Sequence, residues 1–155
     1  MAESTLPLIA RGKYWQEIEV GMAGRTLRRI LTETDLVNFI SVTGMLEAIF
    51  IDPNYPGAAI KGRLVPALLT QGLIEGLILQ TVIQGMGLAM LEVATKAHAP
   101  VRVGDSIWAT LEIQDIKPTS KHGRAVVTSE IKVYNQNEEL VLSYVIKRMM
   151  AGRPS

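Results

Sequence analysis

Cysteine is absent from this 155-residue chain, and histidine occurs only twice, at His98 and His122. The absence of thiols excludes disulfides, thiolate catalysis and cysteine-based zinc or iron-sulfur sites, and it fits a reducing cytoplasm. Two histidines are too few for a histidine-rich metal centre. We therefore expect no metal and no cofactor, and we expect the chain to be cytoplasmic.

An excess of charge of either sign is also lacking, since 16 basic side chains stand against 15 acidic ones. No overall field would recruit nucleic acid or an anionic membrane, so we expect neither as a partner. Long hydrophobic runs are missing too, because glutamines, glycines and Glu75 interrupt the most apolar region, 64–91. That region predicts a buried helix rather than a membrane span. The first 15 residues lack the basic start of a signal peptide, so we expect no export.

The first predicted helix follows a short strand at 26–31. It begins at Thr32, where Asp35 three residues later gives a near capping box. Gly44 is a normal stop residue for such a helix. The sequence therefore predicts a helix between Thr32 and Gly44.

The second predicted helix is long and central. Pro66 suits its first turn, and Gly85 suits its end. Gly72 and Gly76 lie one turn apart on it, and each costs about 1 kcal/mol of helix propensity relative to alanine. That cost predicts tight packing of this glycine face against a sheet.

Strand-like segments separated by turns fill the chain from 88 to 150. Along 125–134 apolar and polar residues alternate, as on an antiparallel strand with one wet face. We predict a single domain over 1–155, with flexible tails at 1–12 and 153–155. The order of elements predicts an α+β hotdog fold, in which a long central helix packs against a curved antiparallel sheet.

Four segments follow one another along the chain: FISVTG (39–44), IDPNY (51–55), GRLVPALLTQGL (62–73) and APVRVGDSIWATLEI (99–113). Through the order and spacing of these segments the chain resembles MaoC-like dehydratases. This hotdog family includes the (R)-specific enoyl-CoA hydratases. The resemblance implies a homodimer or higher homo-oligomer with sheets joined edge to edge. It also implies an acyl-CoA site in a tunnel at the dimer interface, and addition of water to a thioester or its elimination.

The resemblance fails at the two positions that carry the family's chemistry. In the active hydratases an aspartate follows the TG pair at once and a histidine comes five residues later. This chain has Met45 and Phe50 at those places, and it has Pro66-Ala67 where the family often has His-Gly. Neither Met45 nor Phe50 can move a proton, so the usual mechanism cannot operate here.

Two carboxylates remain in this loop, Glu47 and Asp52. A carboxyl group in an apolar pocket has a pKa raised toward the range useful for acid-base catalysis, which makes both residues catalytic candidates, Glu47 first. The alternative is that Glu47 is a solvated loop residue and that Asp52 caps a turn before Pro53. For Asp52 the turn cap is favoured.

The start of the central helix offers a second element of the family's chemistry. The backbone N–H groups of Ala67 and Leu68 lack helical partners and would polarise a thioester carbonyl, although Ala67 also reads as a small residue at a crowded helix start. Met45 and Phe50 are predicted to line an apolar substrate pocket or to fill the core. Arg63 is predicted to bind an anionic group near it, or to make a structural contact to the loop.

Three other polar residues are given no catalytic role. Glu75 is predicted to make a hydrogen-bonded contact to the sheet or to a dimer partner. His98 shares a strand face with Lys96 and is predicted to face solvent, or to meet a CoA phosphate or an interface carboxylate. His122 lies in a predicted hairpin loop.

Several functions stay open. We favour an acyl-CoA hydro-lyase with a rearranged active site, acting on a 2-enoyl or 3-hydroxyacyl thioester. The alternative is a non-catalytic acyl-thioester-binding or structural hotdog subunit. A thioesterase is a weaker alternative, because other hotdog enzymes perform that reaction with a lone carboxylate.

Overall fold

A computed structural model describes residues 8–121 and 123–154 of the chain. Residue 122 and the outer parts of both predicted tails, 1–7 and 155, lie outside the described residues. Within the described residues a 3-10 helix, Trp15–Glu17, precedes six strands and three α-helices: β1 (Ala23–Arg25), β2 (Arg29–Ile30), α1 (Glu33–Thr43), α2 (Ala48–Ile51), α3 (Ala67–Leu79), β3 (Gly87–Ala97), β4 (Ser106–Pro118), β5 (Ala125–Tyr134) and β6 (Leu140–Met150).

The strands form one antiparallel sheet in the order β1-β4-β5-β6-β3, and β2 also pairs with β4. Its centre is built from the long strands β4, β5 and β6, whose registers run almost without interruption. Strand β3 follows α3 in the chain and pairs with β6 at the far edge. The predicted α+β arrangement of a long helix and an antiparallel sheet is therefore confirmed.

Helix α1 begins and ends as its sequence predicts. The Thr32 hydroxyl accepts a hydrogen bond from the N–H of Asp35 at 3.2 Å, and the Asp35 carboxylate accepts one from the N–H of Thr32 at 2.9 Å. These reciprocal bonds complete the capping box. Gly44 then adopts φ 71, a left-handed conformation that glycine reaches without a steric penalty.

The strand predicted at 26–31 is present only in part, because β2 lies within that range while β1 ends before it and a break separates the two. At the break the Thr26 hydroxyl accepts a hydrogen bond from the N–H of Ala109 at 2.9 Å. A side chain thus takes the place of a backbone carbonyl and interrupts the ladder with β4.

Helix α3 starts directly after Pro66, as predicted, but it ends at Leu79 and not at Gly85. The Thr81 hydroxyl donates to the carbonyl of Ile78 at 2.9 Å and so occupies an acceptor that a continuing helix would use. A series of turns follows, and Gly85, at φ 72, leads into β3. The hydrogen bond from the Thr81 hydroxyl therefore ends this helix before it reaches Gly85.

The core lies between α3 and the sheet. On β5 every second residue from Ala125 to Val133 is buried, so the predicted alternation is confirmed. The predicted tight packing of Gly72 and Gly76 is wrong, because a Cβ added at either residue would meet no atom within 4 Å. The helix buries a different side, made by Leu69, Thr70, Gln71, Ile74 and Ile78.

A buried polar network fixes α3 to β6. Glu75 accepts a hydrogen bond from the Tyr144 hydroxyl at 2.6 Å and forms an ion pair with Arg148. Arg148 is only 5% exposed. Burial raises the pKa of Tyr144 well above its usual value, and the Glu75 carboxylate raises it further, so the hydroxyl stays a donor at neutral pH. The predicted sheet contact of Glu75 is confirmed.

Strand β3 leaves one edge of the sheet exposed. All eleven of its residues are exposed, including Leu88, Met90, Leu91 and Val93. A long apolar edge strand of this kind is a template for pairing with another chain.

Candidate functional site

A short helix, α2, occupies the middle of the apolar loop that the sequence singled out. Glu47 caps it, because its carboxylate accepts a hydrogen bond from the N–H of Ile49 at 2.9 Å. Asp52 follows the helix and accepts one from the N–H of Asn54 at 2.8 Å. Both carboxylates therefore stabilise local backbone turns, and both residues are exposed.

Arg63 ties this loop to α1. Its Nε lies 2.9 and 3.0 Å from the two carboxylate oxygens of Glu33, and it also donates to the backbone carbonyl of Phe50. The hydrogen bond from Arg63 holds the pKa of Glu33 below its usual value. This is the structural contact that the sequence left open for Arg63, and its role in substrate binding stays a prediction.

A cavity of about 310 Å³ lies next to α2 and has almost wholly apolar walls. Phe50 forms one side, and Ala67 and Thr70 of α3 form another. The segments 97–101 and 141–142 close it from the sheet. Its size is at the lower end of the range typical of small-molecule sites.

The N-terminal end of α3 opens into this cavity. The N–H groups of Leu69 and Thr70 are bonded to the carbonyl of Pro66, at 3.0 and 3.2 Å. Those of Ala67 and Leu68 have no acceptor within the described part of the chain, as expected for the first turn of a helix. Both residues are exposed, and their unbonded N–H groups belong to the positive end of the helix.

The structure brings together some of the predicted site residues and separates others. Phe50 and Ala67 line the cavity, and Leu68 lies next to Ala67. Met45 packs against the core and is not among the lining residues. The two loop carboxylates are likewise not part of the cavity wall.

Thr70 is a lining residue that the sequence did not single out. Its side chain is completely buried, and its hydroxyl has no hydrogen-bond partner among the described residues. In the sequence Thr70 is one polar residue within an apolar helix, and this alone does not predict that it lines a cavity. Its spacing from Ala67, almost one helical turn, is the feature that would have placed it on the same face.

His98 borders the cavity, but its ring is engaged elsewhere. Its Nε2 lies 2.8 Å from the hydroxyl of Ser143. Tyr144, the residue of β6 that follows Ser143, faces α3 through its bond to Glu75, so Ser143 and the His98 ring beside it lie on the opposite face of the sheet. The outward orientation agrees with the strand face that the sequence predicted.

A second cavity, of about 410 Å³, lies between β1, β4 and the C-terminal end of α3. Its walls include the segments 22–27 and 77–82 together with Leu111 and Ile113. No residue predicted from the sequence to act on a ligand lines it. Within 8–121 and 123–154 there is no group of three side chains suited to hold a metal ion.

The fold places the chain among hotdog proteins. A MaoC-like dehydratase from Rhodospirillum rubrum superposes with a TM-score of 0.81 at 18% identity, over 93% of this chain and 100% of that one. A Mycobacterium tuberculosis protein with a double hotdog fold gives 0.83 at 16% identity, over 93% of this chain and 46% of that one. The predicted hotdog fold is thereby confirmed.

Two curated relatives agree with the resemblance seen in the sequence. A 3-hydroxybutyryl-CoA dehydratase from Methylorubrum extorquens is 27% identical over 119 residues, which cover 76% of this chain and 74% of that protein. An (R)-specific enoyl-CoA hydratase from Rhodospirillum rubrum is 26% identical over 132 residues, which cover 83% of this chain and 90% of that protein. No protein-family model matches the chain. The predicted resemblance to the MaoC-like dehydratases and (R)-specific hydratases is confirmed.

None of the helices in the described part of the chain has the length and apolar character needed to cross a membrane.

Proposed function

We propose that this chain binds a 2-enoyl or 3-hydroxyacyl thioester of CoA in the cavity beside α2 and acts on it as a hydratase or dehydratase with a rearranged active site. The observation that carries the proposal is the apolar cavity that joins Phe50 of the loop to the free N–H groups at the start of α3. The two relatives, a dehydratase and a hydratase of CoA thioesters, support the reaction type.

In this proposal the backbone supplies the electrophilic part of the site. The N–H groups of Ala67 and Leu68 donate to the thioester carbonyl, where negative charge develops during water addition or loss. Phe50 and Met45 contact the acyl group or its surroundings. Arg63 either binds an anionic group of the ligand or fixes the loop through Phe50.

In this proposal a carboxylate of the loop supplies the acid-base group. Glu47 is proposed first and Asp52 second, because they are the carboxylates of the loop that carries Phe50. To act, the Glu47 carboxylate would have to release the N–H of Ile49 and turn toward the cavity. Such a rearrangement of a four-residue helix costs little more than the cap itself, about 1 kcal/mol.

A second function, binding of an acyl thioester without turnover, is favoured by one specific observation. Both carboxylates are exposed, bonded to backbone N–H groups and absent from the cavity wall. A structural subunit that supports an active partner would show the same features. Turnover therefore decides between these functions and the enzyme.

The enzyme and the binding protein differ in their response to Glu47→Gln. For the enzyme we expect this change to remove most turnover of 3-hydroxybutyryl-CoA and crotonyl-CoA, about 10²-fold or more, because a general acid-base group is lost. The matched control is Asp52→Asn, which keeps the turn and should act through loop stability alone. Absorbance of the enoyl thioester measures the rate.

Each result of that assay has a distinct meaning. Turnover that survives Glu47→Gln would disprove the role of Glu47. Tight binding of both thioesters with no turnover in any variant would establish the binding protein. No binding of either thioester to the unmodified protein would reject the proposed function altogether.

We also propose that the chain forms a homodimer or a higher homo-oligomer through the exposed β3 edge. Its row of exposed apolar residues supports this, because pairing with a second copy would cover them. Light scattering at micromolar concentration is expected to give at least twice the mass of the chain. A monomer would contradict it. Its proposed location is the cytoplasm, supported by the absence of cysteine.

A further inference from the structure

Thr70 is an unusual residue for the wall of an apolar cavity. Its side chain is 0% exposed, and its hydroxyl has no partner within the described residues. Burying a hydroxyl without a hydrogen bond lowers stability. A threonine within a helix can relieve this cost by donating to the carbonyl four residues earlier, which here belongs to Pro66, but Thr70 makes no such bond. The hydrogen-bonding capacity of the hydroxyl is therefore unused within the described residues, in a side chain that belongs to the cavity wall.

The position of Thr70 relative to the helix start defines what it would meet. Ala67 and Thr70 both line the cavity, and they are separated by about 4.5 Å along the axis at 1.5 Å per residue. Ala67 and Leu68 are exposed, whereas Thr70 is buried. The first two residues of the helix thus lie nearer the protein surface, and Thr70 lies deeper.

A thioester that enters by its acyl end fits this increase in burial from the helix start to Thr70. Its carbonyl would accept from the N–H groups of Ala67 and Leu68, with the CoA part outside the mouth. The next carbons of the acyl chain would then lie deeper, beside Thr70. The carbon two bonds beyond the carbonyl, C3, is the one that carries an oxygen in a 3-hydroxyacyl thioester.

We propose that the Thr70 hydroxyl binds the oxygen on C3 of a 3-hydroxyacyl thioester and thereby selects it over an unsubstituted acyl thioester. This inference rests on the proposed function, because it requires a thioester in the cavity. A saturated acyl chain would leave the hydroxyl buried and unpaired, whereas a 3-hydroxyl group would satisfy it. Phe50 and Ala67 offer no side-chain polar atom for this contact, and the His98 ring is engaged with Ser143, so Thr70 determines the preference.

The test compares two ligands that differ only in this oxygen. Isothermal titration gives Kd for 3-hydroxybutyryl-CoA, as each enantiomer, and for butyryl-CoA, with the intact thioester followed during titration. We expect the better 3-hydroxy enantiomer to bind the unmodified protein about tenfold more tightly than butyryl-CoA, the value of one hydrogen bond to a buried group. In Thr70→Val, which is nearly isosteric, we expect that ratio to fall to about one.

Two further variants separate this role from a structural one. Thr70→Ser keeps a hydroxyl and should retain most of the preference. Thr128→Val makes the same chemical change on the half-buried face of β5 and should leave both Kd values unchanged. Without ligand, Thr70→Val should have a Tm no lower than that of the unmodified protein, because it removes an unpaired buried hydroxyl. Thr70→Ala removes the same hydroxyl and replaces the valine variant if that does not fold.

The outcomes distinguish this inference from the function on which it rests. If neither thioester binds the unmodified protein, both are rejected. If both bind and Thr70→Val keeps the preference for the 3-hydroxy ligand, the role of Thr70 is rejected and the proposed function stands. A Tm clearly lowered by Thr70→Val would show that the hydroxyl has a structural partner, which also rejects it.

Discussion

Replacing Glu75 with leucine will lower the free energy of unfolding by about 3–5 kcal/mol, the usual result of removing one partner of a buried ion pair. Glu75 joins α3 to β6 through the Tyr144 hydroxyl and the Arg148 guanidinium. Leucine would leave the Arg148 charge 5% exposed and without its partner, and the Tyr144 hydroxyl without an acceptor. Urea denaturation followed by circular dichroism measures the change.

Two other variants show whether the loss of stability in Glu75→Leu comes from the buried charge, because both are expected to lose less stability. Glu130→Leu removes one partner of a partly exposed ion pair with Lys132 on β5 and should change stability by only about 0–1 kcal/mol. The double variant Glu75→Leu with Arg148→Met removes both buried charges and should recover much of the loss. A Glu75→Leu protein as stable as Glu130→Leu would contradict the importance of this network.

The sequence predicts such a network only in part. The position of Glu75 within an apolar helix indicates that its side chain makes a buried contact, and the structure confirms such a contact. The identity of the partners depends on which strand lies beneath the helix, and Tyr144 and Arg148 are far away in the chain. Tertiary placement of this kind cannot be obtained from local pattern.

Elements governed by local chemistry were predicted well. The capping box of Thr32 and Asp35 and the left-handed Gly44 involve only neighbouring residues, so their sequence signals suffice. The strand at 26–31 and the end of α3 were misplaced for one shared reason. In both places the hydroxyl of a threonine, Thr26 or Thr81, takes over a backbone hydrogen bond. The periodicity of apolar residues contains no sign of such a bond.

The residues of the candidate site likewise fall into those that the sequence predicts and those that it does not. Phe50 and Ala67 were found because family motifs fix their spacing, and both line the cavity. For Met45 the sequence predicts a place beside them or in the core, and the structure packs its side chain against the core. Which of the two it takes depends on the rotation of the loop after Gly44. Thr70 gave no signal because a single hydroxyl in an apolar helix has the same appearance whether it faces a cavity or a carbonyl.

Hydration of crotonyl-CoA by the unmodified protein is expected to be slow, and the double variant Met45→Asp with Phe50→His is expected to raise kcat/KM by about 10²–10⁴-fold. Neither methionine nor phenylalanine can transfer a proton, so the present site retains only positioning and backbone polarisation. Phe50 lines the cavity beside Ala67, which places an imidazole introduced there next to the proposed carbonyl site. The change therefore restores the acid-base groups that active hydratases carry at these positions.

The single variants show whether the two groups act together. Phe50→His alone and Met45→Asp alone should each give much less than the double variant, because catalytic groups that work as a unit are strongly non-additive. Phe50→Leu keeps an apolar side chain and serves as the matched control for altered packing. Thermal unfolding of every variant is measured first, since Met45 and Phe50 both pack against the core and a polar residue there lowers stability.

The reverse reaction provides the decisive check. Because a catalyst must accelerate both directions equally, dehydration of 3-hydroxybutyryl-CoA by the double variant should rise by the same factor as hydration. A folded double variant that binds the thioester and gains no activity in either direction would show that the loop does not approach the reacting carbons. An unmodified protein that already hydrates crotonyl-CoA rapidly would show that this chain has an acid-base group of its own, and the Glu47→Gln assay would then test whether that group is Glu47.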